Sequence, residues 1–173
     1  MKKSKEKSLE FSIDRLSLIG EFKYKDFVFQ VENYLNNNEF STRLRLADAF
    51  FKYSYNLEGF GLVQFDLDSL KMRFDFNPNK ITEDGKKFFN FLISFITDIH
   101  YTRLDLAIDL FNYDISSYNI IDIGSRKNAY FYDRVGKLET FYSGSMKSNK
   151  YIRIYNKAVE QKLDKNIDWW RFE

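Results

Sequence analysis

Leu70-Lys71-Met72-Arg73-Phe74-Asp75-Phe76 alternates between apolar and charged side chains. Successive side chains of a strand point to opposite faces, so Met72, Phe74 and Phe76 share one face and Lys71, Arg73 and Asp75 the other. Alternation this clean marks an antiparallel sheet with one covered face. A turn at Asp68-Ser69 leads back to a second strand, about Phe60 to Asp66, and Glu58-Gly59 to a third, about Ala49 to Asn56. Upstream, Tyr24, Phe27, Val28, Val31, Tyr34 and Leu35 follow helical spacing from Lys23 to Asn36. Before that, Phe11 to Ile19 reads as a strand that stops at Gly20.

Downstream, Asn77-Pro78 breaks the sheet and Thr82 is placed to cap a helix with Glu83 and Asp84 in its first turn. Phe88, Leu92, Phe95, Ile96 and Ile99 carry that helical face to about Asp98. Tyr101 to Phe111 then forms a long strand, followed by a looser segment from Tyr113 to Gly124. A meander follows: Asn128 to Asp133, Leu138 to Ser143 and Lys150 to Tyr155, with turns at Val135-Gly136 and Gly144-Ser145. A short helix over Ala158 to Leu163 and a last strand from Trp169 to Glu173 complete the chain. The expected architecture is α+β: a mostly antiparallel sheet, helices packed on one face and the catalytic residues on the other. Residues 1–9 read as a basic flexible tail and 10–173 as a single catalytic domain.

The 173 residues are 44% hydrophobic and 19% aromatic, enough to bury a core. Without cysteine there is no disulfide framework, thiolate metal site or thiol nucleophile. No apolar run approaches the roughly 18 residues of a membrane span, and the lysine-rich start precedes no signal core; a cytosolic location is expected. A net charge of +2 permits nucleic-acid binding without arguing for it. One histidine, His100, excludes a multi-histidine metal site, and it reads as structural.

Three stretches carry candidate chemistry. In Tyr151-Ile152-Arg153-Ile154-Tyr155-Asn156-Lys157, the isoleucines point to the core and Tyr151, Arg153, Tyr155 and Lys157 to the other face. Two phenols and two cations suit phosphate chemistry, with an oxygen nucleophile and positive charge to hold the anion. An ordinary solvated strand face is the alternative. In Arg103-Leu104-Asp105-Leu106-Ala107-Ile108-Asp109-Leu110, the leucines and Ile108 form the expected core face, while Arg103, Asp105, Ala107 and Asp109 form the other. Aspartate is depleted in strands, and small Ala107 leaves room for an ion between Asp105 and Asp109. Such oxygen ligands favour Mg2+ or Mn2+; pairing with lysines elsewhere is the competing account. In Trp169-Trp170-Arg171-Phe172-Glu173, Arg171 and Glu173 share a face. Were these strands neighbours, one face would gather Asp105, Asp109 and Glu173 as metal-binding anions and Arg153, Lys157 and Arg171 as cations around Tyr155. A cation would lower the phenol's pKa from about 10, or a carboxylate would take its proton. Tyr151, at the strand entrance, is the second choice.

The segments Thr102-Arg103-Leu104-Asp105-Leu106-Ala107-Ile108-Asp109, Gly144-Ser145-Met146-Lys147-Ser148 leading into Lys150–Lys157, and Trp170-Arg171-Phe172-Glu173 resemble the replication-initiation-factor family, as does Ser12-Ile13-Asp14-Arg15-Leu16-Ser17-Leu18. That family comprises rolling-circle plasmid initiators of Gram-positive bacteria and related relaxases of conjugative elements. The resemblance implies nicking of one DNA strand at an origin by Tyr155, leaving a 5′-phosphotyrosyl link and a free 3′-hydroxyl. It implies catalytic roles for Arg153 and Lys157 and a divalent metal on Asp105 with Asp109 and Glu173, Glu160 being a further candidate. Arg103, Tyr151 and Arg171 would touch DNA. The implied partners are an origin as single strand or hairpin, a host helicase and DNA polymerase, and a second copy of the chain. Family members usually continue beyond the Arg-Phe-Glu strand, so a C-terminally truncated form is expected. Two competing readings stand beside this one: a non-catalytic single-strand-binding module using Tyr53, Tyr55, Tyr130 and Tyr132, and a metal-dependent nuclease that uses water.

Overall fold

The computed structural model describes residues 6–45, 50–121, 127–145, 150–163 and 167–173. The chain divides into two compact units, Ile13–Asp105 and Met1–Ser12 with Leu106–Glu173. Two strands contribute residues to both, β1 (Ser8–Phe22) and β6 (Ile96–Phe111). All ladders described below are antiparallel, as the alternation predicts, and few helices accompany them.

In the Ile13–Asp105 unit, α1 (Asp26–Asn37) precedes β2 (Ser41–Arg43), β3 (Tyr53–Leu57), β4 (Gly61–Asp66) and β5 (Lys71–Phe76). The strand order is β2-β3-β4-β5-β1. Met72 and Phe74 lie fully buried with Val63, Phe65 and Leu18 against Val28, Val31 and Leu35 of α1 and Leu92 of α2 (Glu83–Ile93). Truncating a buried phenylalanine such as Phe74 to alanine costs about 3–5 kcal/mol. Thr82 caps α2 as expected, its Oγ1 accepting from the Gly85 N–H at 3.1 Å. Gly85 is obligatory there, because a Cβ would lie 2.1 Å from the Gly59 carbonyl oxygen.

Several boundaries differ from expectation. Gly20 does not stop β1. A Cβ at Gly20 would lie 2.7 Å from Ile96 Cδ1 and 2.8 Å from the Thr97 carbonyl, so the glycine serves close approach to β6. Helix α2 ends at Ile93 rather than near Asp98, and Ile96 opens β6 instead. The short β2 had no signal in the sequence. The start of the expected Ala49–Asn56 strand and the Met146–Ser148 motif residues fall outside the described residues.

In the other unit, β7 (Asn128–Tyr132), β8 (Leu138–Gly144), β9 (Tyr151–Asn156) and β10 (Trp169–Phe172) follow in sequence, with the one-turn helix α3 (Lys157–Glu160) after β9. Their order is β6-β10-β9-β8-β7, which inserts the last strand beside β9. Phe141, Ile154 and Trp170 form a small core with Leu110, Ile115, Ile120 and Phe172. The expected core face of β6 holds only toward this end. Leu104 and Leu106 are 54% and 57% exposed, whereas Ala107 and Asp109 of the opposite parity are buried. The apolar cover supplied by Ile115 and Ile120 packs with Leu110.

Candidate active site

Register decides which side chains meet. Arg171 of β10 lies opposite Asp109 of β6 on one side and Tyr155 of β9 on the other, and Tyr155 lies opposite Thr140 of β8. One row therefore reads Asp109, Arg171, Tyr155, Thr140. In the next row Glu173 and Arg153 exchange both backbone hydrogen bonds at 2.8 Å, and Arg153 lies opposite Tyr142. Period-two alternation puts all of these side chains on the face away from Trp170, Ile154 and Phe141.

Around the phenol the contacts are close. The Tyr155 hydroxyl donates to Glu173 Oε1 at 2.8 Å and accepts from Lys157 Nζ at 3.1 Å. The Arg153 guanidinium covers the ring, 3.7 Å from its centroid, and Lys157 Nζ stands 5.3 Å from that centroid. Arg153 also approaches Glu173 at 3.6 Å and Glu160 at 3.7 Å, and Lys157 pairs with Glu160. Helix α3 starts at once after β9, Asn156 Oδ1 capping it by accepting from the Val159 N–H. One turn suffices to return Glu160 over Lys157, an i,i+3 neighbour.

These surroundings correct the expectation that a neighbouring cation lowers the phenol's pKa. Tyr155 shares the predicted face yet is only 2% exposed, because the guanidinium lies over its ring. Its phenol is pushed up, not down: burial dominates, the Glu173 hydrogen bond and the Glu173 and Glu160 charges add to it, and Arg153 opposes them. The phenol therefore rests protonated, with a carboxylate already in position to receive its proton. Tyr151 lies further along β9 opposite Gly144, stacked on Tyr142 with ring centroids 5.8 Å apart.

No family model matches the chain. Replication initiation proteins from Staphylococcus aureus match it at 46%, 42% and 41% identity over 112 residues, which is 61% of this chain. The resemblance read from the sequence is thereby borne out. Over that stretch the chain is similar to these replication initiation proteins. It spans about a third of the length of those curated relatives, 35% of each. A solved rolling circle replication initiator protein from Geobacillus stearothermophilus aligns with a TM-score of 0.56 over 95% of this chain and 73% of that one. At 18% identity, that likeness speaks for a shared α+β fold.

The carboxylates expected to bind a metal are engaged differently. Asp109, buried, accepts from Arg171 Nε at 2.8 Å and Nη2 at 2.6 Å, and from the Trp169 indole at 2.7 Å. Burial alone would raise its carboxyl, but the Arg171 and Trp169 hydrogen bonds overcome that and hold it below the ordinary range. Asp105 is held by Arg103 within the Ile13–Asp105 unit, with Nη2 to Oδ2 at 2.6 Å. Glu173 faces Tyr155 and Arg153. Among the described residues, no group of three or more acids or histidines gathers as a metal site. As they sit, Asp109 and Glu173 do not fit a shared Mg2+ or Mn2+, since a guanidinium engages the first carboxylate and a phenol the second. His100 is exposed, with Nδ1 3.1 Å from the Asp98 carbonyl oxygen. No helix among the described residues is long and apolar enough to cross a membrane.

Sequence reasoning missed the Trp169 indole on Asp109 and the grip of Glu160 on both cations. The first had no local signal, since its partners lie 60 residues apart. The second had one: Asn156 as a helix cap, followed by Lys157 and Glu160 at helical spacing.

Proposed function

We propose that this chain carries the DNA-nicking centre of a rolling-circle replication initiator, with Tyr155 as nucleophile and Glu173 as its general base. One observation carries the reading: the Tyr155 hydroxyl lies between a carboxylate that accepts its proton and an ammonium that donates to its oxygen. A phenol held protonated at neutral pH is a poor nucleophile until a base removes its proton during attack. Glu173 takes that proton as Tyr155 Oη bonds to phosphorus. The bond from phosphorus to the 3′ oxygen breaks, leaving the 5′ phosphate on the tyrosine. The proton held by Glu173 is then available for the departing 3′ oxygen, directly or through solvent, so the carboxylate ends as it began. Arg153 and Lys157 are the cations nearest the oxygen at which the new bond forms, and Arg171 adds a third from the adjacent strand. The product is a phosphotyrosyl enzyme and a 3′-hydroxyl that a polymerase can extend. The origin DNA, a helicase, a polymerase and a second copy of the chain are proposed partners.

The test is covalent trapping. Protein is incubated with labelled single-stranded DNA from the flanks of its own gene, with Mg2+ or Mn2+ and again with a chelator, then run on a denaturing gel. An adduct that disappears in Tyr155→Phe and persists in Tyr151→Phe is the expected result. An adduct surviving Tyr155→Phe would overturn the assignment. Whether a metal is required is read from the chelator lanes.

A second reading has one observation in its favour. Tyr130 and Tyr132 on β7 are 41% and 58% exposed and stack with centroids 6.5 Å apart, a platform suited to unpaired bases. Tyr55, named with them from the sequence, is buried at 1% and leaves that set. Tight single-strand binding without any adduct would favour this non-catalytic module.

A further inference from the structure

We infer that Glu160 is a positioning residue, which holds Lys157 and Arg153 in the arrangement that brackets Tyr155. The inference rests on the nicking function proposed above. The hydroxyl of Tyr155 bonds to Glu173 and Lys157, and Glu160 acts on the phenol through its charge and through the two cations. Its carboxylate pairs with Lys157 through Oε2 and approaches Arg153 through Oε1 at 3.7 Å, and Gln161 Nε2 donates to it at 3.2 Å. Each of these two cations then meets the tyrosine, Lys157 at the hydroxyl and Arg153 over the ring.

Geometry explains why such a residue is useful here. Lysine is a point charge on a flexible four-carbon stem, so a free Lys157 would spread over many rotamers. Ordering such a side chain costs conformational entropy unless something offsets it. Helix α3 supplies the offset: a four-residue turn capped by Asn156 puts Glu160 one turn from Lys157. Lys157 is 14% exposed as a result, although its neighbours on α3 from Val159 onward are exposed. The carboxylate also presents separate oxygens to the two cations, which fixes their separation as well as their directions. A misplacement of about 1 Å in such a constellation costs about 100-fold in rate.

The sequence resemblance made Glu160 a candidate metal carboxylate, and the two roles predict different behaviour. Four proteins are compared in single-turnover adduct formation: wild type, Glu160→Ala, Lys157→Ala and the double variant. Metal concentration and DNA affinity are titrated for each. If Glu160 acts through Lys157 and Arg153, Glu160→Ala slows adduct formation about 10- to 100-fold, Glu160→Gln recovers part of the loss, and the double variant is little worse than Lys157→Ala. The metal concentration for half-maximal rate stays where it was. Additive losses, an unchanged Glu160→Ala, or a raised metal requirement would each overturn the inference.

A second measurement does not depend on activity. Acetylation of Lys157 by a limiting amine reagent, followed by mass spectrometry, is expected to speed up severalfold in Glu160→Ala with the other lysines unchanged. Equal rates would overturn the inference even where no adduct forms. Absence of a wild-type adduct, by contrast, bears on the nicking function alone.

Discussion

The two compact units each bury an aspartate under an arginine, and the two pairs differ in what surrounds the cation. In the Ile13–Asp105 unit, Asp75 accepts from Arg15 at 2.6 and 2.9 Å, Ser17 Oγ at 2.8 Å and Arg73 at 3.1 Å. In the other, Asp109 accepts from Arg171 twice and from Trp169. Asp75 has the longer list of bonds. Yet the Arg15 side chain is 43% exposed and that of Arg171 only 13%, with the aspartates nearly equal at 6% and 8%. The exposure of the partner, not the number of bonds, sets what each aspartate is worth. An arginine that reaches water can be hydrated when its anion is removed, while a buried one is left uncompensated. The same contrast separates a pair that braces a sheet from one that holds a cation beside a candidate nucleophile.

The largest expected effect follows from that contrast. Asp109→Ala should destabilise the protein by about 3–5 kcal/mol, since it removes the carboxylate that accepts from a buried guanidinium and from the Trp169 N–H. Asp75→Ala should cost less, about 1–3 kcal/mol. Urea denaturation of the two variants side by side checks the order, and the reverse order would break the comparison.

Acid sharpens it. Both carboxyls are held below the ordinary range: burial would raise them, but hydrogen bonds from Arg15 and Ser17 prevail at Asp75 and those from Arg171 and Trp169 at Asp109. A depressed folded pKa contributes stability that is fully present above the unfolded value, about 3.9. That contribution is lost as pH falls through the folded value. The urea midpoint of wild type should therefore drop below about pH 4, and Asp109→Asn should show a shallower drop.

Tyr155 supplies the opposite sign. Its raised phenol contributes stability below the unfolded value of about 10 and loses it as pH climbs through the folded one. Burial raises the Tyr55 and Tyr151 phenols as well, so absorbance titration of wild type against Tyr155→Phe should show one fewer late-titrating tyrosine in the variant. The smallest effect belongs to a control. Lys52 and Asp68 pair with both side chains in solvent, 64% and 77% exposed, so Asp68→Ala should leave the melting temperature unmoved.

What was legible in the sequence was local. Alternation placed Tyr155 with Arg153, and Arg171 with Glu173, on common strand faces, because a period of two needs only neighbours. It also gave the meander and the Thr82 cap. The rows across strands were not legible, since Asp109 meets Arg171 only because the last strand inserts between β6 and β9. The burial of Tyr155 depends on one rotamer of Arg153, which no pattern encodes. Gly20 was misread because a glycine that ends a strand and one that admits a neighbouring strand look identical in sequence.

The charges around Tyr155 carry a last consequence. Arg153, Lys157 and Arg171 are matched by Glu160, Glu173 and Asp109, so the site has local dipoles but no monopole. Affinity for DNA normally falls with added salt because bound phosphates release condensed ions from the strand and its atmosphere. Here the three cations already face protein carboxylates, and the site itself exerts little long-range pull. Engagement of the reactive phosphate should thus be nearly indifferent to ionic strength, leaving the salt dependence of binding to basic surfaces elsewhere on the protein.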